Sequence, residues 1–497
     1  MRHKGRLALV NTNLTPSQAT VADLLFVREA LEASAIRFLL IHGTDERPVI
    51  AVDRKDRKAV KAALVAACSS EPFYSKAPGG RPVLIADGRL SERGKPGIVR
   101  LYRPRVEPTG GLAYGAAHAI QLEFWSFGED EVVAPVENIL TRREIPTDEI
   151  VETTVTRYGL TWQTIEPMFA TAASDITFDI DMVFSWVDGT DLEFQRARAR
   201  RMQSYVVGEG DDHAARFRQI DELRYALRSV YIFAPWVRRI FIATDSPKPA
   251  WLDDHPKVTL MRSEDFFADT SALPTHNSQG VESQLHNIPG LAEHFIYSND
   301  DMFIGRPLTP DMFFTPGGAT KFVEADTRIG LGSANRDRSG FENSARVNRE
   351  LLREKFGITI TRHLEHSAAP LRKSIIRELE ATFPEDFART AASPFRSSTD
   401  ISVTNSLYHY FALATGRAIT QTDARVRYVD TTLRSGLDEL ETLLAKRSYD
   451  MFCLNDGSFP EISAEERAAA VRSFLDRYFA IPAPWEKLEH AVGEQAM

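Results

Sequence analysis

Two hydrophobic periods run along this chain, and the change from one to the other marks its elements. Residues 17–34 (SQATVADLLFVREALEAS) carry apolar positions at helical spacing behind a Ser or Thr cap. IRFLLIHG and RPVIAVD read as strands, DRKAVKAALVAACSS as a second amphipathic helix, and VRLYRPR and AIQLEFWSF as further strands split by the flexible PTGGLAYGAA. Together these predict a small α+β module over residues 1–140, whose Asp45, Glu46 and Asp53 read as ordinary loop and strand-end acids. Its role is not legible in its residues. Residues 141–176 are polar and read as a connector.

The texture changes at Phe178. FDIDMVFSWVDGTD is a β-branched and aromatic strand ending in Ser185, Trp186, Asp188, Gly189 and Asp191, and a helical run, LEFQRARARRMQSY, follows it. Asp221–Val230 reads as a helix with Leu223, Leu227 and Val230 as its core stripe. Apolar runs Arg239–Ala243, Val258–Met261 and Phe295–Tyr297, the last after a helix-like LHNIPGLAEH, predict buried strands. Strands alternating with helices predict a mostly parallel α/β sheet. ISVTNSLYHYFALATGRA, LDELETLLAKRS and SAEERAAAVRSFLDRYFA are amphipathic helices, expected to complete the site from the side opposite the turn at Asn299–Asp301.

Candidate chemistry gathers at strand ends. Asn299, Asp300 and Asp301 close one apolar run and precede another, Met302–Ile304. Carboxylates at the mouth of a parallel sheet are where such folds hold ligands, and two adjacent Asp residues repel unless water or a divalent cation offsets them. A solvated turn is the plainer reading of these three residues on their own. Trp186, Asp188, Gly189 and Asp191 occupy a strand-to-helix turn of the kind that seats phosphate or nucleotide, or a plain corner with Asp191 as helix cap. Arg224 and Arg228, spaced i,i+4, either grip phosphate oxygens or face solvent. Thr275, His276, Asn277, Ser278, Glu282 and His286 could hold a sugar ring, or simply start a capped helix.

Composition narrows the picture. The chain has 497 residues, 43% of them apolar and 26% charged, enough for two to four domains of an ordinary globular protein. A net charge of −9 spread over mixed-sign segments argues against nonspecific nucleic-acid binding. Cys68 and Cys453 make no disulfide framework and no zinc set, which favours a reducing, cytoplasmic setting. The apolar part of MRHKGRLALVNTNLT is too short for a signal-peptide core. No stretch approaches the ~20 apolar residues of a membrane span. There is no internal repeat.

FDIDMVFSWVDGTD, RFRQIDELRYALRSVYIFAPWVRRIFIATD and LPTHNSQGVESQLHNIPGLAEHFIYSNDDMFIG together resemble the first two blocks of the Stealth family. EHSAAPLRKSIIRELEATFPEDFARTAASPFRSSTD (365–400) is similar to its third block and FCLND (452–456) to its fourth, in the same order. The family includes bacterial capsular and exopolysaccharide phosphotransferases and the animal lysosomal-enzyme N-acetylglucosamine-1-phosphotransferase. The resemblance spans roughly residues 176–460. It implies a GT-A or Rossmann-like catalytic domain over 177–460, with 461–497 as a C-terminal helix and tail. It also implies transfer of a sugar-1-phosphate from a nucleotide sugar, a UDP-hexose or UDP-N-acetylhexosamine, to a hydroxyl of a polysaccharide or oligosaccharide. UMP is released, in capsule or exopolysaccharide synthesis, in the cytoplasm and peripherally at the inner membrane.

Residue by residue, the resemblance assigns Asp300 and Asp301 to Mg²⁺ or Mn²⁺, His366 to the general base and Arg396 to the donor phosphates. Asp400 would orient Arg396, and Asn455 and Asp456 would close the site or add a metal ligand. His363 competes with His366 as base. The second block departs from the family pattern RFRDNDELRYSL: Gln219 and Ile220 replace an Asp-Asn pair and Ala226 replaces Ser. In the third block Pro370 stands later after His366 than the family's closely spaced proline does. An ordinary metal-dependent glycosyltransferase releasing UDP, and a silent glycan-binding protein stacking sugars on Trp186, Tyr225 and Trp236, are the alternatives.

Overall fold

The computed structural model describes residues 1–191, 195–196, 198–199, 220–457 and 460–487. The helical run expected over 192–205 lies mostly outside them, as does Gln219. The chain forms two compact units, Met1–Ala173 and Ser174–Met497.

In the first unit a helix, Pro16–Ala33, starts at Thr15, which forms a reciprocal capping box with Gln18. The central strand Ile120–Phe127 pairs in parallel with Pro48–Asp53 and antiparallel with Ile98–Tyr102. Leu24, Val27 and Leu31 of the helix pack with Ile50, Val52 and Phe124 of the sheet. The α+β reading therefore holds, but the connector does not. Within residues 141–176, Glu152–Arg157 and Leu160–Ile165 form an antiparallel hairpin that buries Trp162 in the same core, and Thr164 Oγ1 donates to Leu40 O at 2.7 Å. The turn residues Tyr158 and Gly159 have φ of 53° and 75°. Positive φ at both central positions is what a tight two-residue hairpin turn needs.

In the second unit the main sheet is built from β1 (Ile180–Ser185), β2 (Ile240–Ala243), β3 (Val258–Met261), β4 (His294–Asn299) and β6 (Ala369–Arg372), in the order β3-β2-β1-β4-β6. The first four are parallel and β6 is antiparallel. Buried apolar runs such as Met182–Phe184 and Ile240–Ile242 are what a sheet covered on both faces selects. Pro370 sits in β6, at the sheet's edge, where a missing N–H costs least. A second, three-stranded sheet joins β5 (Met302–Ile304) to β8 (Met451–Asn455) and β7 (Val426–Asp430). β5 runs antiparallel to β8, and β7 parallel to it.

LHNIPGLAEH is not a helix. It makes one 3-10 turn, Leu285–Asn287, after which Ile288 is extended at ψ 123°, as a residue before proline prefers. Helix α1 (Glu222–Phe233) buries Leu223, Leu227 and Val230 as expected. Helices α2 (Gly340–Phe356), α3 (Tyr408–Ala414) and α4 (Ala464–Tyr478) follow. The closing helix sits on the same side as the Asn299–Asp301 turn rather than opposite it: Tyr478 Oη donates to Gly305 O at 2.8 Å, and Phe474 packs edge-on against Phe452 of β8. Among the described residues no helix is long and apolar enough to cross a membrane.

Candidate active site

The parallel register sets Ser185 of β1 beside Asn299 of β4 and Ala243 of β2, so three strands end together. Asp300 and Asp301 form the turn that follows β4. Behind this mouth lies a polar chain. Tyr297 Oη is 2.7 Å from Ser185 Oγ, 2.9 Å from Asn299 Oδ1 and 3.2 Å from Glu282 Oε1, and Thr404 Oγ1 donates to Glu282 Oε2 at 2.6 Å. Burial pushes the Glu282 carboxyl up, while Thr404, the charge of Arg396 and Tyr297 pull it down. Arg396 donates to Ser278 Oγ at 2.8 Å. Glu282 is therefore enclosed by protein groups, and its link to the mouth runs through Tyr297.

The acidic turn carries an excess of negative charge. Asp300 is held well above the ordinary carboxylate range, first by desolvation and then by the charges of Asp301, Glu222 and Asp456. Cys453 Sγ donates to Asp301 Oδ2 at 3.5 Å, and Leu454 N donates to Asp301 O at 3.0 Å. Asp456 forms an ion pair with the buried Arg467, which takes up part of the charge expected to be free for a metal. Asn455 hydrogen-bonds the Cys453 thiol with its side chain and accepts from Thr431 with its carbonyl.

On the far side of Cys453 stands Tyr428, its register partner on β7. Burial raises the Tyr428 hydroxyl first, then the charges of Cys453, Asp430, Asp301 and Asp456. Its ring lies 5.3 Å from that of His366. His366 thus joins the acidic turn through one aromatic side chain, and burial alone lowers its pKa below the ordinary value of 6.5. His363 is more deeply buried and stacks on Phe341 at 4.7 Å. Its pKa is lowered by burial and then by Arg346.

Other expected contacts turn out to be internal. Arg224, expected to grip a phosphate or face solvent, donates its Nε to Glu486 at 2.6 Å, next to a two-pronged Arg228–Glu486 pair. Asn277 caps the short helix Ser278–Glu282 and donates to Asp400 Oδ2 at 2.8 Å. Asp400 also accepts from Ser397 N at 2.8 Å, and the arginine whose charge acts on it is Arg389, so it holds Asn277 and its own turn. His276 stacks on Phe395 and His286 pairs with Glu380 at 2.9 Å. This stretch is a packed wall, and Ser278 of it accepts from Arg396. After β1, Trp186 is buried, Asp188 accepts from Thr190, and the carbonyls of Gly189 and Asp191 accept from Gln195. Asp188 N also donates to Ser246 Oγ at 2.8 Å, which ties this loop to the end of β2.

Burial carries the Asp400 carboxyl up to about 6. A carboxyl raised in the fold contributes stability that is full below its unfolded value and lost as pH rises through the folded one. Asp400→Asn keeps the shape without the charge. It should gain up to about 3 kcal/mol over the unaltered chain at pH 8 and almost nothing at pH 3.5, read from denaturant unfolding at the two pH values.

Four conserved regions of one family match the chain: Stealth protein CR1 at residues 178–206, CR2 at 216–322, CR3 at 365–413 and CR4 at 441–496. The exopolysaccharide phosphotransferase CpsY of Mycobacterium tuberculosis H37Rv is 59% identical over 488 residues, 98% of this chain and 92% of that one. The exopolysaccharide phosphotransferase of Nocardia farcinica is 53% identical over 476 residues, 96% and 89% of the two chains. The chain belongs to the Stealth family. The galactosyltransferase LgtC, solved with donor and acceptor sugar analogues, covers 61% of this chain and 96% of its own at 10% identity and a TM-score of 0.30. The bifunctional glycosyltransferase WbbM covers 65% and 54% at 10% identity and 0.32. Likeness at that level carries no argument about the site.

The Stealth regions fall on the geometry described. CR1 supplies β1, CR2 supplies α1 through the acidic turn, and CR3 supplies His366 and Arg396. CR4 supplies β8, Cys453 and the segment that reaches Glu486. Tyr428 and Phe341 lie between the matched regions. Alternation in VRYVD and MFCLN puts Tyr428 with Asp430, and Cys453 with Asn455, on single strand faces. That signal was available, but the pairing of the two strands was not.

Proposed function

We propose that this protein transfers a sugar-1-phosphate from a nucleotide sugar to a hydroxyl of a glycan, forming a phosphodiester and releasing the nucleoside monophosphate. The observation that supports it most is that His366, Tyr428, Cys453 and Asp301 form one continuous chain of contacts at the mouth of the parallel sheet. Arg396 acts on the same mouth from the other side through Glu282 and Tyr297. Phosphoryl transfer needs positive charge on the equatorial oxygens, a base for the hydroxyl and reactants held in line. Arg396 offers the planar fork that suits a phosphate. His366, neutral at physiological pH, accepts the proton of the attacking hydroxyl at a ring nitrogen.

A divalent cation fits the acidic turn by charge and by donor type. Asp300 and Asp301 are hard oxygen donors whose charges repel each other. No three His, Cys, Asp or Glu side chains converge on one metal position among the described residues. Mg²⁺ takes one or two carboxylates together with substrate phosphates and water, and does not require a protein cage. Asp300 and Asp301 would hold it, with Asp456 committed to Arg467. Its chemistry there would be to neutralise charge on the departing nucleotide.

The donor is a UDP-hexose or UDP-N-acetylhexosamine in this reading, and the acceptor a polysaccharide or oligosaccharide of the bacterial envelope. The test is incubation with a panel of UDP-hexoses and a glycan acceptor, followed by analysis of the nucleotide released. UMP with a new phosphodiester upholds the reading; UDP alone replaces it with ordinary glycosyl transfer. Chelation with EDTA should stop UMP release, and added Mg²⁺ or Mn²⁺ should restore it. Persistence in EDTA would remove the metal from the proposal.

A further inference from the structure

Two aromatic side chains of the second unit stand out as substantially exposed among its described residues: Phe341 at 37% and Tyr428 at 40%. Both touch His366. The Phe341 ring centroid is 5.9 Å from the imidazole and the Tyr428 centroid 5.3 Å. They come from separate elements, Phe341 from the first turn of α2 and Tyr428 from the middle of β7. Phe341 is backed by His363, 4.7 Å away and tilted by 21°, so the ring is braced on one side. Gly340, just before it, lies against Arg396: a Cβ there would come within 2.8 Å of Arg396 Cβ and Cδ. The first turn of α2 therefore touches the phosphate-binding arginine and the general base at once.

We propose that Phe341 and Tyr428 are the walls of an acceptor subsite that holds a hexopyranose ring of the glycan beside His366. The inference rests on the phosphotransfer reading above. A base must come within about 2.6–3.2 Å of the hydroxyl it activates, or reach it through one water, so the group next to His366 is the acceptor. Attacking and leaving oxygens lie roughly in line across the phosphorus, which directs the nucleotide away from the base. A pyranose presents an apolar face of C–H groups and a rim of hydroxyls. Aromatic rings offer large apolar area and a negative face to such C–H groups. Two rings beside the imidazole would bind that face and leave the hydroxyl rim aimed at the ring nitrogen.

The experiment uses the full chain with maltotetraose and mannotetraose as saccharide probes, read by saturation-transfer NMR, and with UDP-N-acetylglucosamine, read by calorimetry. Saturation of sugar ring protons is expected with at least one tetrasaccharide. Phe341→Ala and Tyr428→Ala should each weaken that binding about tenfold, Tyr428→Phe should retain it, and UDP-N-acetylglucosamine affinity should change less than twofold. Circular dichroism melting checks that the variants fold. No saccharide binding by the unaltered chain, or equal binding by the alanine variants, overturns the subsite. Loss of UDP-N-acetylglucosamine affinity in the alanine variants overturns it too, by giving the rings to the uracil. If no UDP-hexose yields UMP, the phosphotransfer reading fails, a result the saccharide measurements do not share.

Discussion

Replacing His366 by Ala is expected to slow release of the nucleoside monophosphate by about 10²- to 10⁴-fold, the range lost when a positioned base is removed. The fold should survive, because the imidazole is half-buried and its ring contacts are with the exposed Phe341 and Tyr428. The pH profile gives an independent reading. Burial lowers the His366 pKa, so the neutral, proton-accepting form persists to a lower pH than in a free imidazole. The acid limb of kcat/KM should then fall below pH 6.5, with activity lost as pH drops through it and the base is protonated. His363→Ala should cost less than tenfold, since the residue is 9% exposed and its ring is stacked on Phe341. If His363→Ala proves the more damaging change, the base is reassigned to that residue.

Much of the second unit was legible because its strands are short, built around apolar runs and punctuated. Val258–Met261 and Met302–Ile304 appear with the bounds their hydrophobic runs suggest, and the mostly parallel sheet follows from their alternation with helices. Pairing between distant segments was hidden. Nothing local in EIVETTVTRYGLTWQTI says that it closes the core of the first unit, yet its Tyr158–Gly159 turn was a hairpin signal that polar composition masked. Arg224 and Arg228 show the other limit. An i,i+4 pair of arginines has the same sequence signature whether it awaits a phosphate or a carboxylate, and the carboxylate here comes from Glu486, near the other end of the chain. Asn277, read as a sugar contact or the start of a capped helix, and Asp400, read as orienting Arg396, are buried partners of each other in space. The catalytic candidates Asp301, His366 and Arg396 were reached through family resemblance. What joins them, Tyr428, Cys453 and Tyr297, needed the strand register.

Glu486→Ala is expected to destabilise the second unit by about 3–5 kcal/mol, the cost of leaving a buried charge without its partner. The Glu486 side chain is 2% exposed and that of Arg228 8%. Arg228 Nε and Nη2 reach the two carboxylate oxygens at 2.7 Å each, Arg224 Nε adds a third contact at 2.6 Å, and Ala483 N donates at 2.8 Å. Burial alone would raise the Glu486 carboxyl, and the hydrogen bond and charge of Arg228 outweigh it, holding the group below its ordinary value. Removing the carboxylate takes the shared anion from two guanidinium groups beside the C-terminal segment, whose Trp485 O accepts from Asp253 N and whose Lys487 N donates to Trp251 O. The same segment braces helix α1, and Glu222 in the first turn of that helix is one of the charges acting on Asp300. A denaturant titration of Glu486→Ala and Arg224→Ala measures the loss, and UDP-sugar affinity below the transition separates the roles. Arg224→Ala should lower the unfolding midpoint and leave UDP-sugar affinity within about twofold. A selective loss of affinity at unchanged stability would return Arg224 to the donor phosphates, whereas the two-pronged pair predicts that Arg228→Met with Glu486→Met recovers much of what either single change loses.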